Sequence, residues 1–167
     1  MRDYFPVSLV KESELDPSKA YVFGYHPHGI IGLGAWVNFI TEGNEFSSLF
    51  PGINLRVCTL ETNFRLPLYR EFLLSLGLIS VSKKSCMNTL ARGPGNAILI
   101  VVGGASEALY AKPRTNDLVI KRRLGFIKLA LTTGSSLVPI MSFGENDIYD
   151  QVLNPKLDVK SSWFAFV

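Results

Sequence analysis

Residues 97–107 read AILIVVGGASE: six apolar residues in succession, two glycines, then a small polar turn ending at Glu107. A run of six is strand length and short for a helix, and apolar side chains at both odd and even positions require cover on both faces. An interior strand of a largely parallel sheet meets that requirement, because crossover helices lie above and below it. The glycines mark where this strand stops, at the end where ligands of such sheets bind.

Runs of the same kind stand at AYVFGYH (20–26), NLRVCTL (54–60), LISVS (78–82) and SLVPIMSF (136–143), each expected to be a strand and the last a buried one. Helical patterns separate them. One covers Gly29 to Thr41. A second, LPLYREFLLSLG (66–77), puts Leu66, Tyr69, Phe72, Leu73 and Leu76 on one face before Gly77 stops it. Residues 85–92 suit a helical turn or two before Gly93-Pro94-Gly95, and LGFIKLALTTG (124–134) ends at Gly134. Strand and helix alternate, so the expected fold is an α/β sandwich with a mostly parallel central sheet flanked by helices.

At 167 residues the chain is one domain's worth. Hydrophobic residues make up 47% and charged residues 19%, with a mean hydropathy of +0.22, a composition that suits contact with lipid or a partner. No apolar stretch approaches the roughly 18–20 residues that cross a bilayer, and the mixed, charged opening MRDYFPVSLVKESELD does not read as an export signal. Cys58 and Cys86, 28 residues apart with no ligand-type neighbours, read as reduced core thiols. The net charge of +3 gathers at Lys83-Lys84, Lys112 to Arg114 and Lys121-Arg122-Arg123. No aromatic residues are interleaved there for base stacking, so these clusters suit a discrete anion, or simply solvent, and not a nucleic acid.

Three apolar runs end in polar or glycine-rich groups: His26-Pro27-His28-Gly29, Gly103-Gly104-Ala105-Ser106-Glu107 and Gly144-Glu145-Asn146-Asp147. If the runs are neighbouring strands, these groups share one site. His26 and His28 are the chain's only histidines, which starves a metal centre of nitrogen ligands. A plain capping role is open to them, but imidazole is the natural acceptor for a hydroxyl proton. Pro27 stiffens the pair, and Gly29 leaves room for substrate. A serine hydrolase is the rival class, yet Gly104-Ala105-Ser106-Glu107-Ala108 lacks the second glycine of a nucleophile elbow. Glu107 and Glu145 read either as site carboxylates or as acids lying on helix N-terminal amides.

Taken together, YFP (4–6), YHPHG (25–29), VVGGASE (101–107) and RLGFIKLALTTGSSLVPIMSFGEN (123–146) resemble the acyl-CoA:diacylglycerol acyltransferase type 2 family, which includes monoacylglycerol and wax-ester acyltransferases. The resemblance runs to about Pro155. It implies a glycerolipid-acyltransferase-like fold and transfer of a fatty acyl group from acyl-CoA to a glyceride hydroxyl. The setting it implies is the cytosolic face of the endoplasmic reticulum membrane or a lipid droplet. It also implies that His28 is the base and His26 its companion, with Glu107 assisting, and that no metal or prosthetic group takes part. On the same basis Pro27, Gly29, Gly103, Gly104, Arg123, Gly125, Phe126, Gly144, Glu145 and Asn146 are the expected substrate-binding residues. The wider superfamily pairs its histidine with an aspartate five positions on. Here those positions are Ile31 and Leu33, so an orienting carboxylate is expected from Glu107 or Glu145. The chain is expected to be an acyltransferase domain, 1–155, incomplete at both ends, with an atypical tail at 156–167. The competing expectation is an inactive lipid-binding or scaffold form of the same fold.

Overall fold

The computed structural model, which describes residues 2–150, contains one five-stranded sheet in the order β3-β2-β4-β1-β5. The strands are β1 (Tyr21–His26), β2 (Asn54–Thr59), β3 (Ile79–Ser80), β4 (Asn96–Val101) and β5 (Ser136–Met141), and every pairing is parallel. The helices are α1 (Leu33–Ala35), running into a π-helical turn at Trp36–Ile40, α2 (Phe46–Leu49), α3 (Tyr69–Ser75), α4 (Lys83–Leu90), α5 (Gly104–Ala108) and α6 (Gly125–Thr133). The residue-155 boundary and the tail 156–167 lie outside the described residues.

Strand order decides which face each helix covers. The connections β1 to β2 and β2 to β3 run toward the β3 edge, whereas β3 to β4 and β4 to β5 run back. Right-handed crossovers therefore place α1, α2 and α3 on one face and α4 and α6 on the other. The core divides the same way. Tyr21, Phe23, Tyr25, Ala97 and Leu99 pack with Ala35, Phe46 and Leu73, while Val22 and Ile98 pack with Cys86, Leu90, Leu129 and Ala130. AILIVV thus has both faces filled, with Ala97, Ile98 and Leu99 fully buried.

Some sequence expectations shift. The run at 136–143 is not a buried strand: β5 occupies an edge of the sheet, and Leu137 and Met141 are 44% and 42% exposed. The helix expected from Gly29 starts at Leu33, because Gly29 and Gly32 hold φ of 62° and 68°, outside the helical region. On α3 only Leu73 is buried, and Tyr69 and Phe72 stand out into solvent. The turn or two expected at 85–92 is the helix Lys83–Leu90, which begins two residues earlier.

Candidate active site

Adjacent strands β1 and β4 send their following loops to opposite faces, and that reversal opens a crevice at their carboxyl ends. With β5 on the other side of β1, the register sets Tyr25 beside Val101 and His26 beside Met141. The three polar groups expected to share a site therefore leave neighbouring strands at one level. The His26-Pro27 peptide is cis.

Glu145, 4% exposed, follows Gly144, whose φ of 82° turns the chain into a short 3₁₀ segment. Its carboxylate is filled by donors. Oε2 accepts from the Tyr25 hydroxyl at 2.7 Å, the Gly34 amide at 2.8 Å and the Ser142 hydroxyl at 3.2 Å. Oε1 accepts from the Leu33 amide at 2.7 Å. Glu145 therefore caps α1 from more than a hundred residues away, and negative charge at a helix N-terminus is where the peptide dipoles favour it. Burial, and then the carboxylate's charge, push the Tyr25 phenol far above its ordinary pKa, so it stays a protonated donor. Any side chain at Gly29 or Gly34 would collide with Glu145: a Cβ would lie 2.6 Å from Cγ in the first case and 2.6 Å from Oε2 in the second.

Glu107, 1% exposed, is the second internal carboxylate. Its Oε1 accepts from the His28 main-chain amide at 2.6 Å and its Oε2 from the Val119 amide at 2.8 Å. It ties the histidine segment to the 112–120 loop, and Asn146 ties the same loop by donating to the Thr115 carbonyl at 2.8 Å. The Asp147 carboxylate accepts from the Arg114 amide nearby. Gly103 is required because a Cβ there would overlap the Glu107 side chain, whereas the space about Gly104 is open.

The histidine rings are held differently. His28 is half-buried, and its Nδ1 lies 3.0 Å from the Gly29 carbonyl oxygen. A carbonyl only accepts, so Nδ1 carries a proton, and in the neutral ring the lone pair lies on Nε2. His26 is buried, and among the described residues its Nδ1 has no hydrogen-bond partner. Burial lowers its pKa against the opposing pull of Glu107, so the ring is neutral. Among the described residues no carboxylate bonds the His28 ring. Glu107 grips the histidine's main chain and a neighbouring carbonyl orients its ring.

Arg123, Gly125 and Phe126 lie on the α6 face. Arg123 donates to Ser106 Oγ at 3.0 Å and to the Gly103 carbonyl at 3.4 Å. Phe126 packs where a Cβ on Gly24 would be, 3.4 Å away. Both line a groove of about 460 Å³ floored by Ile100, Val102, Phe126 and Leu129. Sequence reasoning missed Tyr25 and Ser142. The available signal was a tyrosine inside an apolar strand, since a buried phenol seeks a partner. Among the described residues no group of three His, Cys, Asp or Glu side chains could hold a metal ion, and no helix is long and apolar enough to cross a membrane.

A family model described as diacylglycerol acyltransferase matches residues 1–164. Diacylglycerol O-acyltransferase 2B of Umbelopsis ramanniana is 59% identical over 154 residues, which is 92% of this chain and 44% of that protein. Diacylglycerol O-acyltransferase 1 of Schizosaccharomyces pombe is 58% identical over 151 residues, 90% of this chain and 44% of that protein. The 2-acylglycerol O-acyltransferase 1 of Mus musculus is 51% identical over 167 residues, 99% of this chain and 49% of its own. No solved structure matches. The chain thus spans less than half the length of these curated relatives, and across that span it belongs to the diacylglycerol acyltransferase family.

Proposed function

We propose that this chain carries the histidine site of an enzyme that moves a fatty acyl group from acyl-CoA to the free hydroxyl of diacylglycerol, giving triacylglycerol. Family membership supplies the reaction class. The observation that supports the chemistry is the His28 tautomer: with Nδ1–H donated to the Gly29 carbonyl, the neutral ring carries its lone pair on Nε2. Nε2 takes the acceptor's hydroxyl proton as that oxygen bonds to the thioester carbonyl carbon. The tetrahedral oxyanion is met by a main-chain amide at Gly104, the open side of the Gly103-Gly104 turn. The C–S bond then breaks, and the imidazolium returns its proton to the coenzyme A thiolate. Every proton and charge in this scheme is handled without a metal or prosthetic group. Glu107 touches neither reactant and is a positioning residue, fixing the segment on which His28 rides.

The reaction belongs at a lipid surface, because the acceptor lives there. We place it at the cytosolic face of the endoplasmic reticulum or at a lipid droplet. The mouse 2-acylglycerol relative supports monoacylglycerol as a second acceptor. The test is radiolabelled acyl-CoA turnover by membranes expressing the chain or its His28→Ala form. The expected outcome is product from the first and a 10²- to 10⁴-fold loss from the second, the range typical of a general base. Equal product from both defeats the catalytic assignment and favours a lipid-binding form.

A further inference from the structure

The groove on the α6 face has a feature its apolar floor does not require. Lys83, Arg122, Arg123 and Lys128 border it, all exposed, and among the described residues none of the four has a carboxylate within ion-pair distance. Among the described residues no acidic side chain lines the groove. An apolar trough rimmed by unpaired cations is complementary to an amphiphile with a multiply charged anionic head and a hydrocarbon arm.

Its position relative to the histidines is defined at two points. Gly24 and His26 follow Val22 on the α6 side of β1, and Phe126 of the groove packs directly against Gly24. Arg123 bonds to Gly103 and Ser106 of the turn that leads into Glu107, which in turn holds the His28 amide. One end of the trough therefore abuts the turn beside the histidine site, and the cationic rim is formed by the first residue of α4, the two arginines before α6 and Lys128 on α6. The face across the sheet is filled by α1, α2 and α3.

We propose that this groove is the acyl-CoA site. The phosphates of coenzyme A lie on Lys83, Arg122, Arg123 and Lys128, the pantetheine arm runs over Ile100, Val102, Phe126 and Leu129, and the thioester reaches the Gly103-Gly104 turn. The uncharged glyceride then enters from another side, so the two substrates occupy separate surfaces. This assignment rests on the acyl-transfer reading.

The test is equilibrium binding of a non-hydrolysable thioether analogue of palmitoyl-CoA to the full chain in neutral detergent, with an Arg122→Glu/Lys128→Glu double variant. Both side chains are exposed and bond to nothing among the described residues, so an unchanged melting temperature is expected and separates binding loss from unfolding. The variant should bind at least about tenfold more weakly, and the parent's affinity should fall as salt is raised while the variant's changes less. Equal affinity in parent and variant overturns the groove. So does displacement of the analogue by phosphatidic acid vesicles as readily as by palmitoyl-CoA, which marks a general anionic-lipid surface. The two readings fail separately: normal turnover in His28→Ala with lost binding in the rim variant sinks the base and keeps the groove, and the converse sinks the groove and keeps the base.

Discussion

Glu145→Gln isolates the group on which the crevice is hung. If the amide oxygen takes the place of Oε2, it keeps the Tyr25, Gly34 and Ser142 donors, and the amide nitrogen then faces the Leu33 N–H at the 2.7 Å now bridged by Oε1. Donor meets donor, and a buried amide left unpaired costs about 1–3 kcal/mol. The three surviving bonds lose their charge assistance, roughly half their strength, or about 1.5 kcal/mol in all. Relief from burying a carboxylate offsets part of this, which leaves a net loss of about 2–3 kcal/mol against a total stability on the order of 5–15 kcal/mol. Urea unfolding followed by circular dichroism should show the midpoint falling by roughly 1–2 M for an m-value of about 1–3 kcal/mol per molar. Tyr25→Phe, which removes one donor from Oε2, should cost about 0.5–1.5 kcal/mol. The double variant should cost less than the two together, since both changes act on one oxygen. A loss under about 0.5 kcal/mol in Glu145→Gln, or strict additivity with Tyr25→Phe, refutes the reasoning.

Glu107→Gln can satisfy only one of the His28 and Val119 amides. It should lower stability by about 1–3 kcal/mol and reduce turnover while leaving the pH midpoint of activity in place; a moved midpoint would instead show Glu107 acting on the ring. Gly29→Ala puts a side chain at φ 62° and a carbon 2.6 Å from Glu145 Cγ, so soluble yield and melting temperature should both drop, and a wild-type melting temperature contradicts the clash. Burial depresses the His26 pKa below its ordinary 6.5. The unfolded chain therefore binds a proton below about pH 6.5 that the folded chain refuses. The stability difference between parent and His26→Gln should be flat above that pH and should move against the parent below it, by at most about 1.4 kcal/mol per pH unit. Chemical denaturation from pH 5 to 8 reads this, and a parent that gains on acidification contradicts it.

Local pattern revealed the strands well, because covering AILIVV on both faces is a demand that a parallel sheet alone meets easily. It misjudged SLVPIM, whose apolar composition says nothing of whether a further strand lies beside it. The grouping of His28, Glu107 and Glu145 was readable once each was placed after a strand. Their connections were not. Glu145 reads from sequence as an acid on the nearest helix amides, and it does sit on helix amides, but those of Leu33 and Gly34, 112 and 111 positions away. The support of His28 was sought in a carboxylate because the wider superfamily uses one, whereas here the ring leans on its neighbour's carbonyl. The basic rim of the groove was equally hidden, since Lys83 and Lys128 belong to different helices that only the crossovers bring together.

The central place of β1 has a consequence for how the chain comes into being. Tyr21 pairs with Ala97 on one side and Ser136 on the other, so its second partner is made 115 residues after it. At a synthesis rate of about 5–20 residues per second, β1 waits roughly 6–23 s for β5. Until β4 is made the apolar segment YVFGY has no neighbouring strand, and until β5 is made one side of β1, the strand that ends at His26, stays unpaired. Synthesis that stalls before residue 136 therefore leaves an apolar strand edge uncovered, and β5, the last strand among the described residues, is followed by the Glu145 that closes the crevice.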